Sequence, residues 1–190
     1  MGNAAWKTDS LKWRNFFLDF KAKTYVMGIL NITSDSFYPE SRTPNISEAI
    51  KKAETMIAEG ADIIDIGGES TRPGSDPVPI NEEIARVLPV IKELKQTNEA
   101  IVSIDTKKMN VAEAALDAGA DMVNTVSGLR NDDEFARLAA DAEVPVILMH
   151  MQGTPKTMQK NPYYRNPVKE IKQELEKLAD HAIACGIKQE

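Results

Sequence analysis

The sequence predicts an α/β protein built from about five βα units, arranged as a barrel or solenoid. Three observations carry this. Short apolar runs rich in β-branched residues alternate with longer segments of helical periodicity from residue 25 onward. The same junction, Gly-Ala-Asp between a helix and an apolar run, occurs twice, as Glu59-Gly60-Ala61-Asp62 and Ala118-Gly119-Ala120-Asp121. Every apolar run also ends in a polar residue: Asn31, Asp65, Asp105, Asn124 and His150. In parallel βα folds ligands bind at the carboxyl ends of the strands, so these residues should share one face.

The elements follow in order. Residues 1–23 hold Trp6, Trp13, Phe16, Phe17 and Phe20 among scattered charges and read as a lead-in, or hairpin, covering one end of the core. Tyr25-Val26-Met27-Gly28-Ile29-Leu30 is the first buried strand. Asn45 with Glu48 resembles a capping box, and Ile46, Ile50, Ala53 and Ile57 follow at helical spacing, with Gly60 at the C′ position. Ile63-Ile64-Asp65-Ile66 is the second strand; its Asp65 is costly to bury without a partner. A helix from Asn81 buries Ile84, Val87, Leu88, Ile91 and Leu94, with Pro89 expected to kink or shorten it. Residues 101–104 and 122–123 are the third and fourth strands, separated by a helix through Val111, Ala114, Ala115 and Ala118. Asn131-Asp132-Asp133 caps a short helix, and residues 144–149 form the fifth strand. Asn166-Pro167 then opens a helix burying Val168, Ile171, Leu175, Leu178 and Ala182.

Composition narrows the function. With 190 residues and 42% hydrophobic content, the chain can bury one sizeable core. A net charge of −6 argues against nucleic-acid partners. The single cysteine, Cys185, excludes an intrachain disulfide and fits a reducing, cytoplasmic setting. No stretch is long and apolar enough for a bilayer span, and Trp6 spoils the myristoylation pattern begun by Gly2.

The strand ends carry the chemistry. Asp105 can accept hydrogen bonds from a heterocycle and stabilise positive charge on it, although a helix cap is the plainer reading. Asn124 offers a donor and an acceptor to a ring edge. Gly67-Gly68-Glu69-Ser70-Thr71-Arg72-Pro73-Gly74 supplies backbone N–H groups, hydroxyls and a guanidinium suited to an anion. Asn31, Thr33 and Asp35 offer hard oxygen ligands for Mg²⁺. His150 reads equally as a general acid or base and as a hydrogen-bonded wall residue, with Met149, Met151 and Met158 as soft packing around it.

Four segments together resemble the dihydropteroate synthase family: residues 27–37 (Met-Gly-Ile-Leu-Asn-Ile-Thr-Ser-Asp-Ser-Phe), residues 65–74, Ser103-Ile104-Asp105-Thr106, and residues 149–155 (Met-His-Met-Gln-Gly-Thr-Pro). The resemblance runs from about residue 24 to the end, so residues 24–190 read as a pterin-binding barrel domain. It implies a (β/α)8 TIM barrel that joins 6-hydroxymethyl-dihydropterin pyrophosphate to p-aminobenzoate, the folate-pathway step blocked by sulfonamides. By that similarity Asp105, Asn124 and Met149 line the pterin pocket, and Asn31 holds Mg²⁺ with pyrophosphate. Thr71 and Arg72 grip the pyrophosphate. Asp35, Phe37, Thr71 and Pro73 build the p-aminobenzoate pocket. Asp35, Asp105 and Arg72 would be the catalytic residues, in an SN1-like reaction in which pyrophosphate departs before the amine attacks. A homodimer is an open expectation for a full-length enzyme.

The sequence departs from the family pattern at several places. Ser34 stands where proline is usual, Thr125 where aspartate is usual, and Tyr38-Pro39-Glu40-Ser41-Arg42 where glycines are expected. A barrel of this class takes about 250 residues and eight strands, whereas only about five units are present. Three readings therefore stand: the N-terminal portion of a synthase, a non-catalytic chain keeping half a pterin site, or a relative of pterin-binding methyltransferases. The 190-residue chain by itself is expected to have open edges at its first and fifth strands, to self-associate or fold only partly, and not to form dihydropteroate.

Overall fold

Five strands between Met27 and Leu148 pair in parallel and in chain order, which is the arrangement that successive βα units generate. In this computed structural model residues 8–32, 46–70, 76–153, 157–159 and 161–189 are described. An antiparallel hairpin comes first, β1 (Ser10–Trp13) and β2 (Phe16–Asp19). The parallel sheet is β3 (Met27–Asn31), β4 (Ile63–Gly67), β5 (Ile101–Asp105), β6 (Met122–Thr125) and β7 (Val146–Leu148), in the order β3-β4-β5-β6-β7. The helices are α1 (Ile46–Ala58), α2 (Ile80–Thr97), α3 (Met109–Asp117), α4 (Asp133–Asp141) and α5 (Pro167–Ala184).

Alternation along the strands divides the core into two layers. Leu30, Ile64, Ile66, Val102, Ile104 and Val123 join one buried cluster with Val87, Ile91, Leu94, Val111 and Phe135 of the helices. Ile63, Ile101 and Met122, on the other face, join Trp13 and Leu18 of the hairpin. The hairpin therefore covers the N-terminal end of the sheet. It is fastened there by Trp13 Nε1 donating to the Asp121 carbonyl (3.0 Å) and Arg14 donating to the Ala120 and Ala142 carbonyls (3.2 and 3.1 Å).

The repeated Gly-Ala-Asp junction has a physical basis. At each copy the glycine takes positive φ (Gly60 107°, Gly119 108°), and the next residue donates five residues back, Ala61 to Met56 and Ala120 to Ala115, closing the helix. The aspartate then serves a neighbouring strand. Asp62 Oδ2 accepts from Val26 N and Asp121 Oδ2 from Val102 N, both at 2.9 Å. Helix α4 closes by the same bond pattern with Glu143 at φ 52°, a conformation costly for a residue with a Cβ. Glu143→Gly should raise stability by roughly 0.5–1 kcal/mol in urea denaturation, because the exposed Glu143–Lys188 pair it removes is worth little.

Three expectations need correction. Helix α2 runs unbroken through Pro89, which forgoes one helical hydrogen bond without shortening the helix. Val168 is 79% exposed rather than buried; with Leu148, Ile171, Leu175 and Ala179 it lines an apolar groove of about 600 Å³ beside β7. At the opposite edge Val26 and Ile29 are largely exposed, but Leu30 is fully buried against the helices. β3 and β7 are the two sheet edges, as expected of five units that do not close a barrel.

Candidate active site

Register places the strand-end residues side by side. Asn31 pairs with Gly67, Gly67 with Asp105, and Asp105 with Asn124, a single row across the carboxyl ends of β3 to β6. Two residues earlier on each strand, Asp65 pairs with Ser103 on the same face. Three side chains that the sequence marked for a ring or a metal, Asn31, Asp105 and Asn124, are thus brought together. Gly67 makes the closeness possible. A Cβ there would lie 3.2 Å from Asn31 Oδ1 and 3.6 Å from Asp105 Oδ2, so any side chain would fill the space between them.

The electrostatics of this row are unusual. Asp105 Oδ1 is buried with no hydrogen-bond partner among the described residues. Burial above all, then the negative charges of Asp65 and Glu83, push its carboxyl up to about 7. Asp65 is itself buried, and burial raises its carboxyl against the opposing influence of the nearby Ser103 hydroxyl and the Asn124 amide. Asn124 Nδ2 donates to Asp65 Oδ2 at 2.9 Å, which fixes the amide and leaves its oxygen available. A desolvated acceptor of this kind favours a partner that brings N–H donors or positive charge.

Behind the row lies an ion network that sequence reasoning missed. Glu83 is 1% exposed and Glu69 9% exposed, and Lys108 Nζ lies between them, bonded to both carboxylates and, at 2.7 Å, to the Val78 carbonyl. Lys107 pairs with Glu69 Oε1 at 2.6 Å, and the Thr106 hydroxyl donates to Glu83 Oε1 at 2.7 Å. Burial pushes the Glu69 carboxyl up, but Lys107, Lys108 and the Val78 N–H (2.7 Å) together outweigh it and hold it at about 2. Arg86 adds a bond to the Gly68 carbonyl at 2.8 Å. Glu69 and Val78, on either side of residues 71–75, are thereby held together by a direct bond and through one ammonium group. The signal available in the sequence was Glu83 falling four residues before Val87 on the apolar stripe of α2, where an acid is out of place.

The fifth strand end differs from the others. His150 Nε2 is hydrogen-bonded to the Tyr164 hydroxyl at 2.7 Å, and Nδ1 lies 2.6 Å from Glu174 Oε2 without the geometry of a hydrogen bond. Of the two readings of His150, the hydrogen-bonded wall residue fits. Arg130, also missed, donates to the Ser127 and Met149 carbonyls (2.6 and 3.2 Å) and pairs with Glu174, tying the β6–α4 turn to the end of β7. On β7 the residue in register with Asn124 is Ile147, and Met149 follows two residues further on. Thr125, where the resemblance leads one to expect an acid, is fully buried and bonded to Ser127 at 2.9 Å. Asp35, Phe37, Thr71, Arg72 and Pro73, with Ser34, lie outside the described residues.

The fold and the row define a class: a protein of the βα-barrel type whose strand ends gather acids and amides on one face. Comparison with known proteins narrows that class. The family model described as pterin binding enzyme matches residues 27–190. Dihydropteroate synthase of Synechocystis sp. is 44% identical over 169 residues, covering 89% of this chain and 58% of that protein. The crystal structure of Yersinia pestis dihydropteroate synthase with a sulfonamide drug complex superposes with a TM-score of 0.86 at 39% identity, over 95% of this chain and 65% of that one. The Burkholderia cenocepacia dihydropteroate synthase complexed with 7,8-dihydropteroate gives 0.81 at 40% identity, over 95% and 60%. The chain belongs to the pterin binding enzyme family. It spans about three-fifths of the length of the curated relatives it matches.

Proposed function

We propose that this chain carries the first five βα units of a dihydropteroate synthase, which condenses 6-hydroxymethyl-dihydropterin pyrophosphate with p-aminobenzoate. The observation that carries this reading is the buried, unpartnered Asp105 oxygen in line with Asn124 and Asn31. A pterin edge supplies the ring N–H and amino donors that such a carboxylate lacks. When the C–O bond to pyrophosphate breaks, the leaving group keeps the bonding electrons and the pterin methylene becomes cationic. The Asp105 charge stabilises that cation through the ring, and the amine nitrogen then bonds to the methylene carbon and releases a proton to solvent. Thr71 and Arg72 hold the departing pyrophosphate, and Asp35, Phe37 and Pro73 join Thr71 around p-aminobenzoate. Kinship with synthases at 44% identity favours this reading over a methyltransferase.

Mg²⁺ fits the residues present. Asn31 Oδ1 is a hard amide oxygen facing the space kept open by Gly67, with Asp105 Oδ2 across it. Asn31 would hold the ion, which when bound would offset the charge of pyrophosphate. Among the described residues no helix is long and apolar enough to cross a membrane; a cytoplasmic setting and, for a longer chain, a homodimer complete the proposal.

Two results test it. Arg72→Ala should weaken pyrophosphate binding in calorimetry while leaving the p-aminobenzoate KM nearly unchanged; the reverse pattern would refute the grip assigned to Arg72. Pterin binding should also release a proton near neutral pH. The free Asp105 carboxyl sits at about 7, and ring donors favour its charged form. Affinity should therefore rise as pH increases toward about 7 and then level off, with proton release seen as a buffer-dependent binding enthalpy.

A further inference from the structure

Away from the strand ends, three metal-ligating side chains meet where α4 begins and α5 ends. His181 Nε2 lies 3.5 Å from Asp133 Oδ1 and 4.0 Å from Cys185 Sγ, and all three ligand atoms fall within 4.8 Å of one another. We propose that Asp133, His181 and Cys185 form a zinc-class divalent metal site that clamps α4 to α5.

The geometry supports a shared ion better than mutual hydrogen bonding. The Asp133–His181 separation exceeds that of a good hydrogen bond, and the His181–Cys185 contact sits at the outer limit for one to sulfur. They lie close to the spacing of about 3.3–3.8 Å expected between ligand atoms around a four-coordinate zinc with ordinary Zn–N, Zn–O and Zn–S bonds. His181 and Cys185 are four residues apart and so share one face of the helix end. Cys185 is the C-cap of α5, where the partial negative charge of the helix end favours a cation. Asp133 keeps one oxygen for Arg137 (3.5 Å) and turns the other toward His181. The supports are rigid, because Ala182 is buried in the same cluster as Phe135 and Ala139 of α4. Among the described residues this is the only group of three such side chains within reach of one ion.

The ligand set specifies the metal. One thiolate, one imidazole and one carboxylate suit Zn²⁺ or Co²⁺ and are a poor match for Mg²⁺, which would remain with Asn31. Three protein ligands leave the fourth position to water. Binding requires loss of the thiol proton and leaves His181 neutral. Helix α4 follows directly on the turn from Asn124 and Thr125, so an ion here braces the outer end of the unit that presents Asn124.

Because Cys185 is the only cysteine, a spectroscopic test is unambiguous and independent of pterin chemistry. Titrating the metal-free chain with Co²⁺ should give a thiolate-to-cobalt charge-transfer band in the near ultraviolet, which Zn²⁺ then abolishes by displacement. Zn²⁺ should also slow modification of Cys185 by a thiol reagent roughly tenfold or more in the native chain, and His181→Ala should remove that protection. Asp133→Asn should weaken Co²⁺ binding measurably. Absence of the band at millimolar Co²⁺ with folding intact, or equal thiol reactivity with and without Zn²⁺, would overturn the site. The reactivity measurement needs no variant, so it holds even where a substitution unfolds the chain.

Discussion

Asp105→Asn is expected to make the protein more stable at pH 8 while weakening pterin binding at least tenfold. The native Asp105 carboxyl lies at about 7 against an ordinary value of 3.8. A group whose acid is strengthened on unfolding binds more protons when folded, so wild-type stability falls as pH rises from about 4 to about 7. Above that window the buried charge costs on the order of 2–4 kcal/mol, given 1.36 kcal/mol per pKa unit. Asparagine carries no such charge, so the variant should gain about that much at pH 8, and the gain should vanish in acid. Denaturant melts at pH 5 and pH 8 measure it directly. In the complete enzyme the same substitution should cost roughly 2–4 kcal/mol of transition-state stabilisation. A group that stabilises the fold and merely caps α3 would show the opposite sign, losing stability at pH 8 and leaving turnover within about twofold.

Lys108→Met should have the largest destabilising effect of any single change near the site. It removes the ammonium group between Glu69 and Glu83, and Glu83 at 1% exposure then keeps, among the described residues, only the Thr106 hydroxyl. Breaking a buried pair while leaving its partner charged costs about 3–5 kcal/mol. Adding Glu83→Gln to the same chain should recover much of that loss, because the stranded charge is then gone. A stability loss under about 1 kcal/mol, or no recovery in the double variant, would show that the network is solvated and weak. Glu69, with its carboxyl held at about 2 by Lys107 and Lys108, contributes stability above its ordinary range that is lost as pH falls through about 2.

What the sequence made legible follows from periodicity and local closure. The Gly60 and Gly119 junctions announced helix ends because only a residue without Cβ takes their backbone conformation at no cost. Asn31, Asp105 and Asn124 were readable because strand alternation and parallel pairing send strand-end residues to one face. What escaped depends on contacts distant in sequence. Lys108 reaches Glu69 across 39 positions and Glu83 across 25, and nothing local to Asp105-Thr106-Lys107-Lys108 marks one lysine as buried. Val168 read as core from its helical spacing, yet spacing specifies only which face of α5 is apolar, not whether another element covers it. Pro89 was expected to kink or shorten the helix, but packing of Val87, Val90, Ile91 and Leu94 against the sheet outweighs one missing hydrogen bond.

The central claim is that the row Asn31–Gly67–Asp105–Asn124 receives a pterin with Asp105 as its acceptor. The most direct measurement is a fluorescence titration of the complete enzyme with 6-hydroxymethylpterin, read through the ligand's own emission, for wild type and Asp105→Asn at pH 8. The account predicts saturable binding by wild type that the substitution weakens at least tenfold, about 1.4 kcal/mol or more, although the variant is the more stable protein. Equal affinity in the two folded proteins, or binding that is tighter in Asp105→Asn, would contradict it.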